Sequence, residues 1–134
     1  MMTEGKNKTV FIVDDDQFLL NMYSIKFKKS GFEVDTAANS LEALTKLRDG
    51  ASPDVILLDV VMPGMDGLEL LSNIRKENLL PNVTVVVLSN QNQPSDLERA
   101  KNLGVSTYIV KASAVPSEVV SEVLKVIDNE TAKK

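Results

Sequence analysis

The chain predicts an α/β fold, a doubly wound sheet of five parallel strands, each followed by a helix. Three observations carry this reading. Apolar runs that are continuous rather than alternating mark strands buried on both faces. Segments with apolar residues at helical spacing separate those runs. Glycine or proline stands at most of the junctions, where helices stop and start. In sheets of this kind ligands bind outside the carboxyl ends of the strands, so the residues at those ends are the ones to read for chemistry.

The elements follow in order. Val10-Phe11-Ile12-Val13 is the first strand, and residues 17–29 form a helix with Phe18, Met22, Ile25 and Lys29 on one stripe and Leu19 beside it. Asp16 or Gln17 opens that helix, since Asp is a favoured N-cap. Phe32-Glu33-Val34-Asp35-Thr36-Ala37 alternates, as a half-exposed edge strand does. The second helix, 40–49, offers Leu41, Leu44 and Leu47 to the core. Val55-Ile56-Leu57-Leu58 is the third strand, and Leu68, Leu71 and Ile74 define a helix over 67–77. Residues 83–88 make the fourth strand, followed by a helix over 95–103 with Leu97, Ala100 and Leu103. Tyr108-Ile109-Val110 is the fifth strand. The helix over 117–128 has the cleanest pattern, with Val119, Val120, Val123, Leu124 and Ile127 on one face. Gly31, Gly50 and Gly104 follow helix ends, and Pro94 and Pro116 sit near helix starts. One domain over 8–128 is expected, with right-handed crossovers and disordered tails at 1–7 and 129–134.

Composition narrows the chemistry. With 43% hydrophobic and 25% charged residues, the 134-residue chain is globular rather than disordered. A net charge of −4 and a pI near 4.8 argue against direct nucleic-acid or anionic-membrane contact. No apolar stretch approaches the roughly 18–20 residues of a membrane span, and the polar start lacks a signal-peptide core. A cytoplasmic location is expected. Only Asn129 to Lys134 follow the last helix, too few for a helix-turn-helix. Cysteine and histidine are both absent, which removes disulfides, thiol chemistry, imidazole bases and His- or Cys-ligated metals. Carboxylates, lysine and hydroxyls remain, a donor set suited to a hard ion such as Mg²⁺.

The strand ends carry those groups. Asp14, Asp15 and Asp16 follow the first strand, Asp59 ends the third, Ser89 and Asn90 end the fourth, and Lys111 ends the fifth. Each has an ordinary explanation as a helix cap, a loop hydroxyl or a solvated charge, and Asp66-Gly67 reads as a turn before a helix. Those explanations leave the coincidence unaccounted for: all these groups fall at one edge of the sheet. A carboxylate at the tip of a buried strand needs a cation, a metal or hydrogen bonds to offset its desolvation.

Over residues 8–128 the sequence resembles the receiver domain of two-component response regulators, and in particular single receivers of the chemotaxis-regulator type. The resemblance rests on an ordered set: the acidic pair Asp14-Asp15, the segment Asp59-Val60-Val61-Met62-Pro63-Gly64-Met65-Asp66-Gly67, then Ser89 and Lys111. The intervals of 44 residues from Asp15 to Asp59, 30 from Asp59 to Ser89 and 22 from Ser89 to Lys111 fit as well. The resemblance implies a flavodoxin-like (βα)5 sheet of order 2-1-3-4-5. It implies that Asp59 is phosphorylated with Mg²⁺ held by Asp15, Asp59 and the carbonyl of Val61, with Asp14 acting mostly through a water. It further implies that Lys111 pairs with Asp59 and then with the phosphoryl group. Ser89 and Tyr108 would form a switch that alters the face made by the fourth helix, fifth strand and fifth helix. The implied donor is a sensor histidine kinase, a phosphotransfer protein or a small phosphodonor, and the implied output is an effector protein or phosphorelay, with no direct nucleic-acid or membrane contact. The chain would catalyse only its own phosphorylation and dephosphorylation.

Three features set this chain apart or bear on alternatives. Ala112 follows Lys111 where the family commonly has Pro, and a non-proline cis bond costs about 2.5–4 kcal/mol, so a trans Lys111–Ala112 peptide is expected. Val61 and Gln91, two residues past Asp59 and Ser89, flank the phosphoryl position in this family; Val61 cannot orient a hydrolytic water, whereas Gln91 has an amide for it. An aspartyl-phosphate phosphatase of the haloacid-dehalogenase type would need an acid at position 61, and a flavodoxin-like cofactor carrier would need a glycine- or hydroxyl-rich loop after the first strand. A receiver-like scaffold that takes no phosphate is the remaining alternative, against which all the site residues stand in place.

Overall fold

The computed structural model describes residues 8–89, 94–110 and 115–132, the last five by their backbone alone. Five strands and five helices alternate: β1 (Thr9–Val13), α1 (Gln17–Lys29), β2 (Glu33–Ala37), α2 (Ser40–Arg48), β3 (Val55–Asp59), α3 (Gly67–Lys76), β4 (Thr84–Ser89), α4 (Pro94–Asn102), β5 (Thr107–Val110) and α5 (Pro116–Ala132). The sheet is parallel throughout, in the order β2-β1-β3-β4-β5.

Successive side chains of a strand point to opposite faces, and two cores result. Phe11, Val13, Ile56, Leu58, Val85 and Val87 face α2, α3 and α4, where Leu44, Leu47, Leu68, Leu71, Ile74 and Ala100 meet them. Val10, Ile12, Leu57, Val86, Leu88 and Ile109 face α1 and α5, against Leu20, Tyr23, Phe27, Val119, Val120 and Val123. Every residue of β3 and β4 is buried, which is why those runs contain no polar alternation. Phe27 and Phe32 close the lower end of α1 edge to face, with ring centroids 5.0 Å apart.

The structure differs from the sequence expectation at four helices, Leu97 of α4 being 38% exposed. The stripe expected to face the core on α1 lies outside: Phe18 is 69% and Ile25 53% exposed, while Leu20, Tyr23 and Phe27 are buried. Leu41 of α2 is likewise exposed, its place taken by Ala43. Last, α5 continues to Ala132 instead of ending at 128. Asn129-Glu130-Thr131-Ala132 contains neither Gly nor Pro to stop it.

At the outer edge of the sheet, β2 is bonded to one neighbour only. Its Thr36 N–H donates to the Asp35 carboxylate at 2.9 Å, and its carbonyl accepts from Lys46 Nζ at 2.6 Å. Lys46 also reaches Asp35 at 3.1 Å.

Candidate phosphoryl-acceptor and metal site

The carboxyl ends of β1, β3 and β4 meet at one edge. Val13 is in register with Leu58, and Asp59 with Leu88, so Asp14 and Asp59 emerge side by side with Ser89 one residue further along β4. Asp14, Asp59 and Ser89 are all buried, Asp14 to 1% and Asp59 to 3% exposure, while Asp15 is exposed. The backbone fixes the ends of this edge: Asp14 N–H donates to the Ala37 carbonyl at 3.2 Å and Val60 N–H to the Leu88 carbonyl at 2.9 Å.

Local chemistry explains which acid does what. Asp16 caps α1, its Oδ1 accepting from Phe18 N at 3.0 Å and Leu19 N at 3.2 Å. Asp14 Oδ1 accepts from Asp16 N at 2.9 Å, a tight turn that aims the acidic run back over the sheet. Asp66 caps α3 in a capping box with Glu69, at 2.8 and 2.9 Å. Asp16 and Asp66 are thus occupied with helix ends, and Asp14, Asp15 and Asp59 are left to form one group.

In that group one carboxylate oxygen from each residue lies within 4.8 Å of the other two. Asp59 Oδ1 is buried and accepts no hydrogen bond from the described residues. Two buried carboxylates this close repel by roughly 3–4 kcal/mol at an effective dielectric of 20. An all-oxygen, acidic, half-sheltered set of this spacing fits a small hard divalent cation.

The loop from β3 to α3 borders the group. Val61 is exposed, Met62 is buried in the core under α3, and Met65 Sδ accepts from Asn73 Nδ2 at 3.3 Å. Gly67 N–H donates to the Val60 carbonyl at 2.8 Å, drawing the loop closed. Tyr108 is half-buried against the core on the α3–α4 side of the sheet, not a side chain standing in solvent. Grooves flank it, one with Leu97, Ala100 and Lys101 of α4 and another with Glu118, Ser121 and Lys125 of α5. Lys111, Ala112, Asn90 and Gln91 lie outside the described residues. Sequence reasoning missed Ser40, whose buried hydroxyl donates to the Met65 carbonyl at 2.8 Å, and Arg99, which reaches Asp66 at 3.4 Å. No local sequence signal marks either contact, since 25 and 33 residues separate the partners.

The family model of the response regulator receiver domain matches residues 10–123. Sporulation initiation phosphotransferase F of Bacillus subtilis is 34% identical over 108 residues, covering 78% of this chain and 82% of that protein. The alkaline phosphatase synthesis transcriptional regulatory protein PhoP of the same organism is 30% identical over 121 residues; the match covers 90% of this chain and only 49% of PhoP, so the chain spans about half of that relative. Among solved structures, the chemotaxis protein CheY4 of Vibrio cholerae superposes with a TM-score of 0.82 at 30% identity, covering 90% of this chain and 98% of that one. Fold, strand order, acidic group and relatives converge: the chain belongs to the response regulator receiver domain family.

Proposed function

We propose that this chain is a phospho-accepting signalling switch in which Asp59 is the nucleophile. An Asp59 carboxylate oxygen attacks the donor's phosphorus. The bond from phosphorus to the donor's nitrogen or oxygen breaks, and its electron pair leaves with the donor as an imidazole or carboxylate. The single observation that carries this reading is the group formed by Asp14, Asp15 and Asp59 at the carboxyl edge of the sheet. Those three, with the carbonyl of Val61, would hold Mg²⁺. When bound, the ion offsets the negative charge of the carboxylates and of the incoming phosphoryl oxygens. Asp59 presents its oxygen from the rigid end of a fully buried strand, which fixes the line of attack. Ser89, one strand over, donates its hydroxyl to the phosphoryl group, and Lys111 supplies the compensating cation.

The output lies on the α4, β5 and α5 face. Tyr108 stands between its grooves, and the Ser89–Val110 pairing ties β5 to the site edge. A phosphoryl group drawing Ser89 inward changes the space available to the Tyr108 ring, a two-state element biased by one charge event. The donor is a histidine kinase or phosphotransfer protein, and the recipient is another protein. The match along most of a phosphotransferase relative supports relay of the phosphoryl group as one such output. Turnover of an independent substrate is not part of this reading.

The test is incubation with acetyl phosphate and Mg²⁺, followed by intact mass measurement. One phosphoryl group is expected on the wild type and none on Asp59→Asn. Label recovered on Ser89 or Thr107 would overturn the assignment. Beryllofluoride should shift amide signals of Ser89 and residues 105–110; shifts confined to Asp14, Asp15 and Asp59 would return the scaffold reading.

A further inference from the structure

We infer that Ser40 is a positioning residue for the acceptor loop, an inference that rests on the phospho-acceptor reading of Asp59. Ser40 is the first residue of α2, yet it has no work to do in starting that helix. Asn39 is the N-cap, accepting from Glu42 N at 2.8 Å, and Glu42 returns the favour by accepting from Ala38 N at 2.9 Å. The helix end is satisfied without the serine hydroxyl. Ser40 is nevertheless 3% exposed, and its Oγ donates at 2.8 Å to the carbonyl of Met65, on the loop that leaves Asp59.

The position of that bond gives it its role. The loop is fixed at its ends, by Val60 N–H on the Leu88 carbonyl and by Gly67 N–H on the Val60 carbonyl. Between them Val61, Pro63 and Gly64 are exposed, and Met62 is the buried side chain that pins the first half. Ser40 pins the second half, together with the Asn73–Met65 side-chain contact, from a helix whose Ala43, Leu44 and Leu47 are buried in the core. A carbonyl group of this loop, that of Val61, is a proposed metal donor four residues before Met65. Removing the hydroxyl leaves the Met65 carbonyl without its buried donor and lets the loop relax away from the acidic group.

The experiment compares the wild-type chain, Ser40→Ala and Ser24→Ala. Ser24 is the control: its Oγ donates to the Leu20 carbonyl at 2.8 Å within α1, the same chemistry with no link to the loop. Calorimetric titration with Mg²⁺ is expected to show about two- to tenfold weaker binding for Ser40→Ala, the range one neutral hydrogen bond spans. Ser24→Ala should match wild type. In metal-free protein, the Gly67 amide should exchange with solvent faster in Ser40→Ala than in wild type. Unchanged Mg²⁺ affinity and unchanged Gly67 exchange would overturn the inference, as would a lowered melting temperature with both of those intact, which assigns the bond to stability alone. A wild type that binds no Mg²⁺ or takes no phosphate sinks the phospho-acceptor reading instead, and the metal-free exchange measurement still decides whether Ser40 holds the loop.

Discussion

Gly67→Ala is the sharpest test of how β3 is packed against α3. A methyl group on Gly67 would lie 2.1 Å from the carbonyl oxygen of Asp59, 2.9 Å from its carbonyl carbon and 3.1 Å from Val60 Cα. All three are main-chain atoms at the carboxyl end of β3 and the residue after it, so no side chain can swing aside. Relief requires α3 and β3 to separate by about 1 Å, which places the cost at the upper end of the ~1–3 kcal/mol typical of overpacking. Helix propensity works the other way, because Ala in place of Gly gains at most about 1 kcal/mol. The clash wins, and the net loss is at least about 2 kcal/mol, or roughly 8 °C in melting temperature for a domain of this size. Thermal and urea unfolding followed by circular dichroism measure it. Gly64→Ala is the internal comparison: Gly64 has φ +77° and open space around it, so its cost is backbone strain of about 1–2 kcal/mol with no push on Asp59. Phosphorylation by acetyl phosphate should therefore slow in Gly67→Ala and persist in Gly64→Ala. A Gly67→Ala protein as stable as wild type would refute the close approach of α3 to Asp59.

Phe27→Ala should lose about 3–5 kcal/mol in urea unfolding, and Phe18→Ala no more than about 0.5 kcal/mol, because one ring is buried and the other is in solvent; equal losses would mean that α1 is rotated. Metal-free Asp15→Ala should be at least as stable as wild type, since it relieves carboxylate crowding. Mg²⁺ at a hundred times its dissociation constant should stabilise the wild type by about 2.7 kcal/mol and leave that variant unmoved, a contrast that differential scanning calorimetry reads directly. Arg48 donates to both oxygens of Glu77 at 2.9 and 2.6 Å and holds its carboxyl below the ordinary value near 4.5. The contribution of this pair is complete above that ordinary value and is lost as pH falls through the depressed one. A small stability gap between wild type and Glu77→Gln should therefore close in acid and shrink in salt, and a gap that widened in acid would reverse the sign.

How far the sequence could be read depended on the kind of contact involved. Strands β1, β3 and β4 were legible because burial on both faces leaves no polar alternation, and the strand ends were legible because their polar residues interrupt those runs. The face of α1 was not. Phe18, Met22 and Ile25 recur at helical spacing, and so do Leu20, Tyr23 and Phe27; periodicity gives two apolar stripes and no means of choosing between them. The sheet decides, since Phe27 must reach Phe32. Ser40 and Arg75 escaped for another reason. Arg75 bonds the carbonyls of Leu80 and Leu103 at 3.3 and 3.1 Å, and its partner is main chain, which carries no residue-specific signal. The grouping of Asp14, Asp15 and Asp59 at one edge was legible by asking what each strand ends in.

An open sheet also has a colloidal problem, which β2 answers. An exposed edge strand is a template on which another chain can add. Glu33 and Ala37 direct main-chain bonds toward the residues flanking β1, through Glu33 N–H to the Lys8 carbonyl and the Ala37 carbonyl from Asp14 N–H, so by alternation Thr36, like Val34, presents its two main-chain groups outward. Both are already engaged, the N–H by Asp35 and the carbonyl by Lys46, and those two side chains pair with each other. An incoming strand would have to break an ion pair and strip a lysine of its carbonyl to extend its ladder past Thr36. Lys46 and Asp35 thus guard the edge of β2 against edge-to-edge pairing, a task separate from that of the acidic group at the carboxyl ends of β1 and β3.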